Sequence, residues 1–143
     1  MKLSQHFDLS EFTVSQTAAR HGIDNTPTPE VLENLKRLAT AMEEVRALFG
    51  KPIRISSGYR CQELNRLVGG SIASQHIKGL ACDFTVIGVE LDDVMEDIIE
   101  EGLVFDQIIK EFNSWIHISI PEKDGYERKQ ALIIDRNGTR LYA

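Results

Sequence analysis

The longest regular pattern in the chain is helical: Val31, Leu32, Leu35, Leu38, Met42, Val45 and Leu48 recur at three- and four-residue steps, laying one apolar stripe along a helix. Asp24-Asn25-Thr26-Pro27-Thr28-Pro29 supplies its start. Thr28 is the N-cap and Pro29 takes the first helical position, where a missing N–H costs nothing. The helix is predicted to run to about Phe49, closed by Gly50. A second amphipathic helix, Leu91 to Glu101, carries Leu91, Val94, Ile98 and Ile99 and ends at Gly102. A shorter one is predicted from Cys61 to Leu67, stopped by Gly69-Gly70, after which Ser71 to Gly79 reads as a loop.

Elsewhere the period is two. Ile53-Arg54-Ile55-Ser56 alternates up to the Ser57-Gly58 turn, and Leu80 to Val86 reads as the next strand. Phe105 to Glu111, Trp115 to Ile120, Ala131 to Asp135 and Thr139 to Tyr142 follow, joined in part by Phe112-Asn113-Ser114 and Arg136-Asn137-Gly138. Helices first and hairpins later predict an α+β fold, with amino-terminal helices packed on a small, mainly antiparallel sheet. No repeat or low-complexity run interrupts the pattern, so residues 1–143 read as a single domain.

Strand parity brings out the chemistry. Leu80, Cys82 and Phe84 face the core, which turns Ala81, Asp83 and Thr85 the other way. In the later strand Ile116, Ile118 and Ile120 take the core face, so Trp115, His117 and Ser119 line the opposite one. If these two strands are neighbours, an imidazole and a carboxylate meet above the sheet beside the small Ala81. His76 can then close the triangle from its loop. Two histidines and one carboxylate form a three-ligand zinc set whose fourth position stays open for catalysis, and they suit zinc better than magnesium or calcium.

Composition narrows the class. With 42% hydrophobic and 27% charged residues the chain is an ordinary globular protein, and 22 acidic against 16 basic residues give a net charge of -6. That charge, with no basic stripe, disfavours nucleic acid as a partner. Met1 to Asp8 holds no continuous apolar stretch, so no secretory signal or membrane anchor is read there; the expectation is a monomer, cytoplasmic as synthesised, with no membrane partner. Two cysteines, Cys61 and Cys82, are too few for a disulfide framework and lack the spacing of a thiolate metal site.

Ser57-Gly58-Tyr59-Arg60, Leu64-Asn65, Gly69-Gly70, Ser74-x-His76-x-x-Gly79-x-Ala81-x-Asp83 and Trp115-Ile116-His117-Ile118-Ser119 follow one another between Ile53 and Ile120. Together they resemble the zinc D-alanyl-D-alanine carboxypeptidases of metallopeptidase family 15, which includes bacterial cell-wall peptidases and phage endolysins. Phe7 to Leu48 is also similar to the short phage and prophage branch; beyond Pro121 little resembles it. The resemblance implies that His76, Asp83 and His117 ligate zinc. It also implies that Arg60 binds the substrate's carboxylate or backbone, a task its planar fork suits, and that the substrate is a peptidoglycan peptide, cut at a bond involving a D-amino acid. Ser74 is expected to orient the site or the substrate, and Arg54 is a lesser candidate, since polar members of an alternating strand are normally just solvated. Action on the wall would follow phage lysis or another release.

The sequence departs from the family at one place. Many members carry a general base three residues before the final zinc ligand, where this chain has Ser114, and serine cannot act as a base near neutrality. Glu111, at the end of its strand, is the expected replacement. Asp106 or Gln107 is expected to hydrogen-bond a ligating imidazole, and His6 and His21 have no comparable context. The rival reading is a zinc-containing module without catalysis, binding cell-wall peptide or stiffening a phage particle.

Overall fold

A computed structural model describes residues 1–142; Ala143, the last residue of the expected domain, lies outside the described residues. Thr28 caps the long helix α3 (Pro29–Phe49) by accepting the N–H of Val31 at 3.2 Å, and Gly50 ends it in the left-handed region. Two short helices precede it, α1 (Leu9–Thr13) and α2 (Gln16–Arg20). Five residues are too few to show a helical period. Their signal lies in the caps, a reciprocal box of Asp8 with Glu11 and Ser15 accepting from Ala18.

The strands are β1 (Ile53–Ser57), β2 (Ala81–Val86), β3 (Gln107–Glu111), β4 (Trp115–Ser119), β5 (Gln130–Asp135) and β6 (Gly138–Leu141). Helix α4 (Gln62–Leu67) and a 3₁₀ turn (Gln75–Lys78) lie between β1 and β2, and α5 (Leu91–Glu100) lies between β2 and β3. The six strands form one sheet in the order β1-β2-β4-β3-β5-β6, antiparallel throughout except for the parallel pair β3–β5. Parallel neighbours need a crossover, and residues 120–129 carry the chain back across the sheet end. Alternation along the two strands does not reveal this pairing.

Leu35, Leu38, Met42 and Val45 of α3 share one buried cluster with Val94 and Ile98 of α5 and with Cys82, Phe84, Val86, Ile108, Ile116 and Ile118 of the sheet. The sheet members of that cluster are even-numbered. The odd-numbered residues between them point to the other face, where Asp83, Gln107, Ile109, Glu111, Trp115 and His117 line a cavity of 520 Å³. Cys82 is fully buried, which pushes its thiol up, and both cysteines are free. Among the described residues, no helix is long and apolar enough to cross a membrane.

Candidate metal centre

Asp83 and His117 stand directly opposite each other in the β2–β4 ladder. Non-core side chains so paired meet above the sheet, and His117 Nδ1 lies 3.0 Å from Asp83 Oδ1. The register of β1 shifts between Ile55 and Ser57, a bulge that sets Ser57 opposite Asp83, and the Ser56 hydroxyl donates to the Asp83 carbonyl at 3.3 Å. His76 arrives on the 3₁₀ turn rather than on an open loop, and its Nε2 lies 3.3 Å from the same Asp83 oxygen. The three residues are 3%, 7% and 8% exposed for His76, Asp83 and His117, and one ligand atom from each lies within 4.8 Å of the others.

These atoms fit a metal ion. Ligands at about 2.1 Å from one tetrahedral ion stand about 3.4 Å apart, close to the separations between Asp83 Oδ1 and the two imidazole nitrogens. The donor set of two imidazoles and one carboxylate suits a borderline ion. Burial works against charge on Asp83, yet the imidazoles of His117 and His76 beside it hold its carboxyl well below the usual range. A buried carboxylate that stays ionised between two imidazoles is a ready cation ligand.

His76 owes its orientation to the backbone. Its Nδ1 lies 2.7 Å from the Gly58 carbonyl, so with that nitrogen as donor Nε2 is turned to the site. Gly58 has no room for a side chain: a Cβ there would stand 2.5 Å from the Phe12 carbonyl oxygen. Ser74 caps the 3₁₀ turn through the His76 N–H at 3.2 Å, and the Arg60 N–H donates to the His76 carbonyl at 3.1 Å. Asn25, expected only as a turn residue, clamps this region by donating to the carbonyls of Thr13 and Tyr59, both at 3.0 Å, and accepting from Cys61 at 2.8 Å.

Glu111, Arg60 and Ser74 line the same cavity as the three. The Trp115 indole N–H donates to Glu111 Oε1 at 2.8 Å, an orienting contact not expected from the pattern, although Glu111 and Trp115 are paired across the hairpin. Arg60 reaches Ser74 Oγ at 3.5 Å. Desolvation pushes its guanidinium down from the ordinary value, against the opposing pull of Asp83 and Glu111. Ser114 is exposed and bonds the Phe112 carbonyl at 2.9 Å within the turn.

Asp106 and Gln107 do not hydrogen-bond an imidazole. Asp106 is taken by Arg128, which reaches it through Nε, Nη2 and its backbone N–H at 2.7–3.2 Å, and by Gln75 at 3.1 Å; Gln107 donates to Gln130 at 2.7 Å. The β3–β5 pairing explains the difference, since it brings Arg128 and Gln130 beside the start of β3. His6 lies elsewhere, 2.7 Å from Glu43. Among known proteins, the family model described as Peptidase M15 matches residues 5–119, a span that contains all six candidate side chains. A search of curated proteins gave no match.

Proposed function

The chain belongs to the peptidase M15 family, and we propose on that footing that it is a zinc-dependent peptidase acting on peptidoglycan peptides. The observation that carries this reading is the convergence of His76 Nε2, Asp83 Oδ1 and His117 Nδ1 at the floor of a cavity that also holds one further carboxylate, Glu111, and two guanidiniums, Arg60 and Arg128. Zinc, when bound, supplies a Lewis acid that polarises a peptide carbonyl and makes water reactive near neutrality.

The remaining roles belong to side chains. Glu111, oriented by Trp115 through Oε1, takes the proton of the attacking water and returns it to the leaving amine. Arg60 binds a carboxylate or backbone carbonyl of the substrate, and Ser74 steadies its guanidinium. The test is to purify the full chain without chelator, measure its metal, and incubate it with peptidoglycan while mass spectrometry follows released fragments. Stoichiometric zinc and new peptide termini are expected. A protein that takes up no transition metal on titration ends the reading at its first step. Stoichiometric zinc without any fragment would favour a non-catalytic, peptide-binding module.

A further inference from the structure

The cavity above the trio does not stop at Arg60. A second cavity of 680 Å³ opens on the far side of that side chain, shares Arg60 and Val68 with the first, and is walled by β1 together with α1, α2 and their connection. Strand order gives its direction. Glu111 stands on β3, His117 on β4, Asp83 on β2, and Arg54 to Ser57 on β1, so the two cavities cross the sheet from β3 to the β1 edge. Arg60 is the partition between them.

The second cavity has its own charge. Arg20 and Arg54 line it, both exposed, and neither forms an ion pair or side-chain hydrogen bond among the described residues. Among the described residues its only carboxylate is Glu11, which accepts the Asp8 N–H at 2.8 Å in the cap of α1. The buried Nε of Arg60 also has no partner. On a chain of net charge -6, this is a local reversal of sign with unspent donors around an open space.

We propose that this second cavity is a subsite for an acidic peptide segment continuing past Arg60, so that the substrate spans both cavities and the cleaved bond is internal rather than terminal. The proposal rests on the peptidase reading and adds the substrate class. A hydrolase of terminal residues needs nothing beyond the group that holds the terminal carboxylate. An extended peptide crossing Arg60 instead meets two further guanidiniums, each able to take a carboxylate by paired hydrogen bonds.

Two peptides with the same scissile bond test it, one ending a residue beyond that bond and one continuing into an acidic tail. Binding to the metal-free full chain is read by fluorescence anisotropy, and hydrolysis by the zinc-loaded chain is followed in parallel. The tail is expected to tighten binding about tenfold, with the gain shrinking as salt rises. Arg20→Glu, which reverses charge, and Thr17→Trp, which fills the space without changing charge, are each expected to reduce the gain, with the short peptide binding as before. A tail that brings no tightening, or a gain untouched by both variants, overturns the subsite. Tail-dependent binding without cleavage of either peptide upholds the subsite and overturns the peptidase reading instead.

Discussion

The site has two walls built on different principles. Asp83, His117 and Glu111 reach the cavity from β2, β4 and β3, each hydrogen-bonded to a strand on both sides, so their positions follow from sheet register. His76, Ser74 and Arg60 reach it from turns, held by a few contacts lent from elsewhere: the Gly58 carbonyl, the Asn25 carboxamide, the Ser74 cap and Gln75 on Asp106. The strand wall shares its cost with the whole core. On the turn wall single distant contacts decide where an imidazole points, so substitutions outside the cavity should move His76 while leaving His117 in place.

The largest expected effect alters the chemistry of the strand wall without its geometry. Glu111→Gln keeps a partner for the Trp115 N–H but cannot accept a proton, so kcat is expected to fall about a hundredfold or more while bound zinc stays stoichiometric. His117→Ala is expected to differ by losing the metal as well. Full turnover in Glu111→Gln would remove the base assignment; among the described residues Asp83, the expected metal ligand, is the only other carboxylate lining the cavity.

The same contrast explains what could be read before the structure. A strand shows its faces in every second residue, so Asp83 and His117 were legible from alternation once β2 and β4 were taken as neighbours, whereas Glu111 was reached only as a replacement for the base that the family resemblance lacks at Ser114. His76 was legible only through the spaced motif around it, since a four-residue 3₁₀ turn has no period to detect. Asp106 misled because its partner, Arg128, comes from beyond Pro121, delivered by a parallel pairing that local pattern does not encode. Alternation likewise could not show that Trp115 would spend its indole N–H on Glu111.

A smaller effect is expected from disturbing the turn wall at its hinge. Gly79 closes the 3₁₀ turn at φ 74°, and a Cβ there would stand 2.9 Å from Val31 Cγ1 and 3.0 Å from the Val31 carbonyl oxygen. Gly79→Ala is therefore expected to cost about 1–3 kcal/mol of stability. It should also weaken zinc binding about tenfold by shifting His76, an effect of the size seen when a ligand loses its orienting partner. Thermal unfolding and metal titration separate the two. Lower stability with unchanged zinc affinity would mean that the turn wall is stiffer than its few contacts suggest.

The smallest expected effect lies at the far support of that wall, where Asp106 joins Gln75 to Arg128. Burial opposes charge on Asp106, but the hydrogen bonds and charge of Arg128, with help from Gln75, hold its carboxyl below the ordinary 3.8. A carboxyl lowered on folding adds stability above its unfolded value, and that stability is lost as pH falls through the folded value. The window therefore opens below about pH 4. Asp106→Asn is expected to lower stability at pH 7 by about 1 kcal/mol, a modest figure because the Arg128 side chain is 54% exposed, and to flatten the acid limb of the stability curve in that window. Zinc affinity should fall only a few-fold, because the carboxamide can still bond Gln75. Denaturant unfolding of both proteins from pH 7 down to the acid limb reads the difference directly. Coincident curves would show that the Asp106–Arg128 pair contributes nothing to the fold, and the turn wall would then owe its position to Gly58, Asn25 and Ser74 alone.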